Sequence, residues 1–516
     1  HRCHTPLMLA SSRVPSWLAS RRPNVTGAKR PHRPHAIKRP SGIRNCATKS
    51  FQGLTEASFS DPKVFLGRPT SQLLFNYSIL RSCSITPLVA AGTGMLNLLE
   101  KINLSAPAHW VVEKTYFKHF VAGKNLNEAM KTAAALSTTG IGTILDYSIE
   151  SADGNIDEAV DVLVEAIRLS GKASYTPFSC FKVTALTQPH LLLRINEILE
   201  YQARDKNFAP ALELQGLIRS TNFTQHVENM IVVSRTAAAT KGTMGLADTA
   251  YPVPGVQSVP PPLTLAEMET MLLPFAKRLE RLGEAAREHN HSVLVDAEQS
   301  YFQETIHFAA KALMTRYNKT KPLFYNTYQM YLKASPSKLA EDLEYASKNN
   351  LIWGAKLVRG AYMDGEAAWA KEKKRENPIQ PTIQATHDAY NNAVRLMLDQ
   401  AKSGHGAVVI ASHNEHSMAL GSQAVAERNL APNHPFVHFG QLYGMCDHMS
   451  LALSQNGHNV VKYVPFGPVG EVMPYLLRRV AENKGFLAST HKEQGLMLQE
   501  IKNRLHLASS QPQAIL

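Results

Sequence analysis

The feature that most limits what this chain can fold into is a rhythm that begins at Gly142. Short runs rich in β-branched and aromatic residues alternate there with longer amphipathic helical stretches, the pattern of parallel βα units. The runs are Thr143–Glu150, Cys180–Leu186, Ser292–Glu298, Pro322–Gln329, Ala355–Tyr362, Ala407–His413, Phe436–Leu442 and Asn459–Phe466. Eight is the number that closes a β/α barrel, so the expected fold is α/β, a (β/α)8 TIM-like barrel. An open doubly wound sheet is the structural rival, but no GxGxxG opens a βα unit. Most runs are apolar early and gain polar or aromatic residues later: Lys182, Asp296, Asn326, Arg359 with Tyr362, His413 with Asn414, Gln441 and Tyr463. Barrel strands deliver their C-terminal ends to the face where active sites sit, so these residues gather where chemistry is expected.

The rest of the chain frames that barrel. Of its 516 residues, 44% are hydrophobic and 19% charged, enough for a sizeable core. The net charge of +13 suggests nucleic acid until its distribution is read. Eleven basic residues precede Glu56, the first acidic one, and the remainder carries 44 basic against 42 acidic residues. An Arg- and Ser-rich leader without acids reads as a mitochondrial transit peptide over residues 1–55, with a basic nucleic-acid arm or a plain disordered tail as alternatives. The near-neutral body has no electrostatic footprint for DNA or RNA, and no nucleic-acid partner is expected. Residues 56–141 read as a helical N-terminal region, with apolar spacing in LNLLEKI and NEAMKTAAAL. The barrel is expected over 142–507, interrupted by a flexible insertion at 236–265 rich in Gly and Pro, and a disordered tail over 508–516.

No apolar run reaches the ~18 residues of a membrane-spanning helix. Ile85–Leu99 comes nearest but is broken by Gly92 and Gly94, and reads as an ordinary buried helix. Cys3, Cys46, Cys83, Cys180 and Cys446 lie far apart without CxxC or Cys/His spacing, so neither a disulfide framework nor a metal site is expected. The terminal AIL differs from a peroxisomal SKL.

Several residues could carry chemistry, each with a plainer reading beside it. In YLLRRVAEN, Tyr475–Asn483, the adjacent Arg478 and Arg479 project about 100° apart on one helix. Paired arginines clamp carboxylates through bidentate hydrogen bonds, and Glu482 follows at helical spacing to neutralise or orient them. A solvated helix face with local salt bridges explains the same residues. Lys182 interrupts the apolar CFKVTAL, where a buried ammonium is costly without a partner. It reads as a pocket cation, a Schiff-base lysine or a strand lysine reaching solvent. Asp296 ends an aliphatic run and could orient a substrate or move a proton, or simply cap the strand. Tyr362, Tyr463 and Leu442 are pocket walls or core. His413 with Asn414 is a site pair or a satisfied structural group, with no HxH or HExxH beside it.

Taken together, KLVRGAYMD (Lys356–Asp364), DAEQSYFQ (Asp296–Gln303), FYNTYQ (Phe324–Gln329), ASHN (Ala411–Asn414), HFGQLYGM (His438–Met445) and YVPFGPVGEVMPYLLRRVAEN (Tyr463–Asn483) resemble the proline dehydrogenase family. The resemblance runs in order from about Val111 to about Leu505. It implies a distorted β/α barrel that holds FAD without a Rossmann motif. It further implies that Arg478 and Arg479 grip the proline carboxylate, and that Lys182 and Asp296 are pocket residues. Tyr362 and Leu442 would be walls and Tyr463 would pack over the proline ring, with Tyr475 and Glu482 also counted on the substrate side. Asn326, Lys356, Val358, Gly360, Ala361, His413, Asn414 and Gln441 match positions that contact FAD; bacterial relatives carry arginine at Lys356 and glutamine at Asn326. The implied reaction is hydride transfer from proline C5 to flavin N5, giving Δ1-pyrroline-5-carboxylate, with electrons passed to ubiquinone at the mitochondrial inner membrane on its matrix side. The nearest alternative is hydroxyproline oxidation, against which the bulky Tyr463 argues, since relatives that prefer hydroxyproline carry serine there. A Schiff-base lyase using Lys182 and a non-catalytic barrel are the readings from other classes.

Overall fold

In this computed structural model, residues 51–85, 106–148, 156–202, 205–240, 259–485 and 487–509 are described. Eight parallel strands close a barrel in chain order, β1 Ile141–Tyr147, β2 Phe178–Lys182, β3 Ser292–Asp296, β4 Phe324–Gln329, β5 Trp353–Val358, β6 Gly406–Ala411, β7 Val437–Leu442 and β8 Val460–Phe466. The expected barrel is therefore present, and every expected run overlaps a strand. The ladder closes between β1 and β8, from Ile141 opposite Val460 to Tyr147 opposite Phe466. Several boundaries differ from the sequence reading. β1 begins at Ile141 inside the expected helical region. β2 begins at Phe178 and ends at Lys182, where Val183–Ala185 turns as a 3-10 helix, so Lys182 terminates the strand rather than interrupting it. Leu54, expected in the leader, is buried, and its N–H donates to Ser422 Oγ at 2.8 Å. Thr236–Thr240 finish the helix Phe223–Thr240, and Leu265 opens a helical turn capped by Thr264 Oγ1, so both edges of the expected insertion are ordered helix. The helix Leu487–Ser509 takes in the first two residues of the expected tail. The bulk of the leader, residues 86–105, the insertion centre 241–258 and the end of the tail lie outside the described residues.

Strand side chains alternate between two faces, and here the alternation separates two cores. Inward residues Ile144, Phe178, Cys180, Leu294, Tyr325, Ala407, Val409 and Val461 fill the barrel. Phe178 packs edge-on against both Tyr325 and His438, with centroids 5.3 and 4.9 Å apart. Outward residues such as Phe181, Val295, Phe324, Leu357, Ile410, Phe439 and Val460 pack on the surrounding helices. Filling the barrel with aromatic and aliphatic side chains concentrates its inward charged groups at the C-terminal mouth. The helices that frame the mouth have defined starts. Asn414 Oδ1 accepts from Ser417 N at 2.9 Å and sets the start of Glu415–Glu427. Thr382 Oγ1 accepts from Ala385 N at 3.0 Å and does the same for Ile383–Ser403. Among the described residues, no helix is long and apolar enough to cross a membrane.

Candidate active site

Four charged side chains meet at the inward end of the first five strands. Asp146 ends the inward face of β1, and its Oδ1 faces the Lys182 ammonium at 3.5 Å. Asp146 Oδ2 accepts a short hydrogen bond from Ser148 Oγ. Across the mouth, Asp296 Oδ1 accepts from Lys356 Nζ, while Asp296 Oδ2 accepts from the Tyr463 hydroxyl at 2.8 Å. The Lys356 ammonium also lies 5.2 Å from the centre of the Tyr463 ring. β-Ladder register dictates this meeting: Lys182 sits opposite Asp296, and Asp146 opposite Cys180.

The electrostatics follow from burial. Burial alone would depress Lys182, but Asp146 and Asp296, helped by Cys180 and Tyr362, outweigh it and raise the ammonium above its ordinary range. Lys182 is therefore a fixed cation, which disfavours its use as a neutral Schiff-base amine. Burial, with Asp146 and Asp296 adding to it, holds the Tyr463 hydroxyl far above its usual value, so it stays a donor. Burial drives Cys180 up in the same way, and its thiol donates to Leu145 O at 3.4 Å. Asp146, Cys180 and Asp296 present ligand atoms within 4.8 Å of one another, but the two carboxylates are already engaged by two ammonium groups.

The next sector is less charged. His413 follows β6, and its Nε2 accepts the N–H of Leu442, the last inward residue of β7, at 3.0 Å. Burial, then the charges of Lys462 and Arg479, pushes His413 down to about 3, so the ring is neutral and an acceptor at Nε2. Arg479 is buried on the helix Val469–Gly485, 4.9 Å from the centre of the buried Tyr475 ring. Arg478 is half-buried beside it. The side chain of Glu482 lies outside the described residues.

A third sector is a groove lined by Arg359, His387, Asn391, Arg395, Asn414 and Ser417, among others. Arg359 donates to His387 Nδ1 at 3.1 Å, Ser412 Oγ at 2.6 Å and Ser417 Oγ at 2.8 Å, and stacks 4.3 Å from the centre of the Tyr390 ring. All these partners are neutral, which suits an anion there; the Asp388 carboxylate also lines the groove and accepts from Gln384 Nε2 at 2.8 Å. The guanidinium lies at the start of the helix Glu415–Glu427, whose free N–H groups favour the same ligand. Gly360, next along the chain, has φ +139°, and a Cβ there would fall 1.8 Å from the Tyr331 ring, so no side chain fits between groove and barrel.

Against the sequence reading, Lys182, Asp296, Lys356 and Tyr463 are brought together. Tyr362 is near enough to act on Lys182, and Val358 shares the inward face of Lys356. Ala361 is exposed on the following loop. Two expectations need correction. Asn326 shares its face of β4 with Phe324 and Tyr328, which pack on the outer helices, so its amide points away from the mouth. The inward residue there is Gln329, whose Nε2 donates to Glu298 O at 2.7 Å. Gln441 likewise points outward, where its amide meets Met418 Sδ at 3.3 Å and accepts from Ser450 Oγ at 2.8 Å. Asp146, Gln329 and the groove role of Arg359 were missed. Asp146 carried the same signal as Asp296, a carboxylate closing an aliphatic run.

The comparisons with known proteins agree with this architecture. A family model described as proline dehydrogenase matches residues 129–492. The chain is 36% identical to a protein from Dictyostelium discoideum named proline dehydrogenase 1, mitochondrial, over 86% of this chain and 74% of that one. It is 30% identical to a Xenopus laevis protein named hydroxyproline dehydrogenase, over 90% of this chain and 94% of that one. A crystal structure of proline utilization A from Bdellovibrio bacteriovorus superposes with a TM-score of 0.52 at 16% identity, covering 83% of this chain. This chain spans 38% of that longer protein, and the likeness is one of fold. With the matched model covering most of the barrel, the chain belongs to the proline dehydrogenase family of enzymes.

Proposed function

We propose that this chain oxidises L-proline to Δ1-pyrroline-5-carboxylate with bound FAD, as the first step of proline catabolism, and delivers the electrons to ubiquinone. The observation that supports the reading is the barrel mouth itself, where the Lys182 cation faces Asp146 and Lys356, Asp296 and Tyr463 form a hydrogen-bonded chain. Arg478 and Arg479 would grip the carboxylate of a small amino acid, and Tyr362, Leu442 and Tyr463 would wall its ring.

The residues present fit a dinucleotide cofactor. Arg359, with only neutral partners, and the helix start at Asn414 form a cradle for a diphosphate. Gln329, Lys356 and Val358 on the inward faces, with Gly360, Ala361 and His413 on the loops, would hold the rest. The flavin supplies the hydride acceptor when bound. The protein's own work is positional: the arginine pair fixes the carboxylate, Tyr463 stays protonated and braces Asp296, and His413 holds the Leu442 wall through its backbone N–H.

A ring hydroxyl on the substrate would need space and a partner beside Tyr463, whose own hydroxyl is committed to Asp296, which favours proline over hydroxyproline. Relatives named mitochondrial and the acid-free leader support import into the mitochondrion. Peripheral contact with the inner membrane rests on the family resemblance, and exposed Trp110 and Val111 suit such a contact. The test is turnover of L-proline with a soluble quinone, trapping the product with o-aminobenzaldehyde. A yellow protein forming the adduct supports the reading; a colourless one with a borohydride-trapped lysine adduct would replace it with the lyase.

A further inference from the structure

The charges at the mouth balance only if Asp146 is counted. Lys182 and Lys356 contribute two positive groups and Asp296 one negative, and Asp146 supplies the second. Asp146 is 1% exposed, and its Oδ1 receives no hydrogen bond among the described residues, facing the Lys182 ammonium instead. Ser148 Oγ on the same segment fixes its other oxygen. A buried carboxylate held by one hydroxyl and one cation is costly unless the cation needs it there.

We propose that Asp146 is a positioning residue that neutralises the pocket floor through Lys182 and so selects a ring bearing a positively charged nitrogen. This rests on the proline-oxidising reading given above. The ring nitrogen of proline arrives as an ammonium, loses that proton to solvent, and becomes cationic again when C5 passes hydride to the flavin and the nitrogen lone pair makes the C5–N bond double. A floor of net charge zero tolerates both cationic states; a floor of net charge +1 opposes both. The groups facing Asp146 are Lys182 and Cys180 from β2, Asp296 from β3 and Tyr463 from β8, while Lys356 from β5 reaches it only through Asp296, and Tyr362 from the loop after β5 only through Lys182. Glu298, bonded by Thr184 Oγ1 at 2.7 Å, faces Lys182 from the loop after β3 and is pushed up by burial.

The experiment uses the full flavin-loaded chain and two ligands, L-proline and cyclopentanecarboxylate, the same ring without nitrogen. Binding is followed by flavin absorbance under anaerobic conditions. Asp146→Asn should keep its flavin, bind proline about tenfold more weakly, and bind cyclopentanecarboxylate within about twofold of the parent. The acid limb of kcat against pH should move down by about one unit, because an extra positive charge lowers the pKa of the bound ammonium. Lys182→Met, which leaves the floor at −1, should move the proline-to-cyclopentanecarboxylate ratio the opposite way, and adding Asp146→Asn to it should bring the ratio back. That pair decides the matter even where Asp146→Asn alone does not fold. Equal weakening of both ligands, or movement of the ratio in the same direction by both substitutions, overturns the proposal. Failure of the parent to bleach with proline would instead strike the proposed function and leave the charge test readable from cyclopentanecarboxylate against pyrrolidine-ring ligands.

Discussion

The two sides of the barrel mouth handle charge in opposite ways. On the side of β1, β2, β3, β5 and β8, both strand-borne lysines have an anion: Lys182 has Asp146, and Lys356 has Asp296. On the side of the β5 and β6 loops, Arg359 has three hydrogen-bond acceptors and none is a carboxylate. A site finished within the protein suits a zwitterionic substrate that brings no net charge. A site left positive suits a ligand that arrives with its own negative charge. On the proposed function, the substrate site and the cofactor cradle would thus differ in whether their cations are already matched.

Substitutions on each side should therefore fail differently. The largest effect is expected from Lys356→Met, which leaves buried Asp296 hydrogen-bonded by the Tyr463 hydroxyl, with the Lys182 charge opposite it the nearest remaining cation. Losing one member of a buried ion pair costs about 3–5 kcal/mol of stability, and proline turnover should drop by about a hundredfold or more; thermal melts and steady-state rates check both. Arg359→Met removes a cation that forms no ion pair among the described residues. It should leave the melting temperature of the flavin-free chain nearly unchanged while weakening FAD by about 30- to 100-fold, the loss of one or two charge-assisted bonds. Equilibrium titration with FAD would read it. If Arg359→Met instead destabilised the flavin-free chain as strongly as Lys356→Met, the distinction between the two sides would collapse.

Much of this division was legible in the sequence. All eight strands could be read because each is a short apolar run bounded by turn residues. Lys182, Asp296 and Tyr463 stood out as polar or aromatic residues at strand ends. Which face a strand residue occupies is harder, because a shift of one position inverts it. Asn326 and Gln329 are both polar residues in FYNTYQ, and only the register against β3 and β5 shows that Gln329 is the inward one. Gln441 fails for the same reason, one residue from the inward Leu442. Lys182 looked buried within a strand because the turn at Val183 carries β-branched residues that read as its continuation. The matched and unmatched states of Lys182 and Arg359 depend on side chains far apart in sequence, and no local pattern reports them.

Smaller effects refine the contrast. Tyr463→Phe removes one hydrogen bond to a carboxylate, worth about 1.5–3 kcal/mol, and should lower kcat/KM for proline by about tenfold without loss of FAD. On the cofactor side, His413 is neutral with its pKa pushed down to about 3, mainly by burial. An unfolded histidine takes up its proton near pH 6.5 and the folded one does not, so stability is present above about 6.5 and is lost as pH falls toward 3. His438 and His458, both near 4 through burial, act in the same direction. His413→Gln should make the slope of melting temperature against pH shallower between about 6.5 and 4, the smallest of these changes.

The most direct measurement is anaerobic titration of the flavin-loaded protein with L-proline and, separately, trans-4-hydroxy-L-proline, followed by visible absorbance. Bleaching by proline at a concentration at least about tenfold lower than hydroxyproline is the expected result, because the Tyr463 hydroxyl is held by Asp296 and is not free to receive a substrate hydroxyl. Preferential bleaching by hydroxyproline would contradict the role given to Tyr463, and a protein that takes up FAD but is bleached by neither would contradict the substrate pocket as a whole.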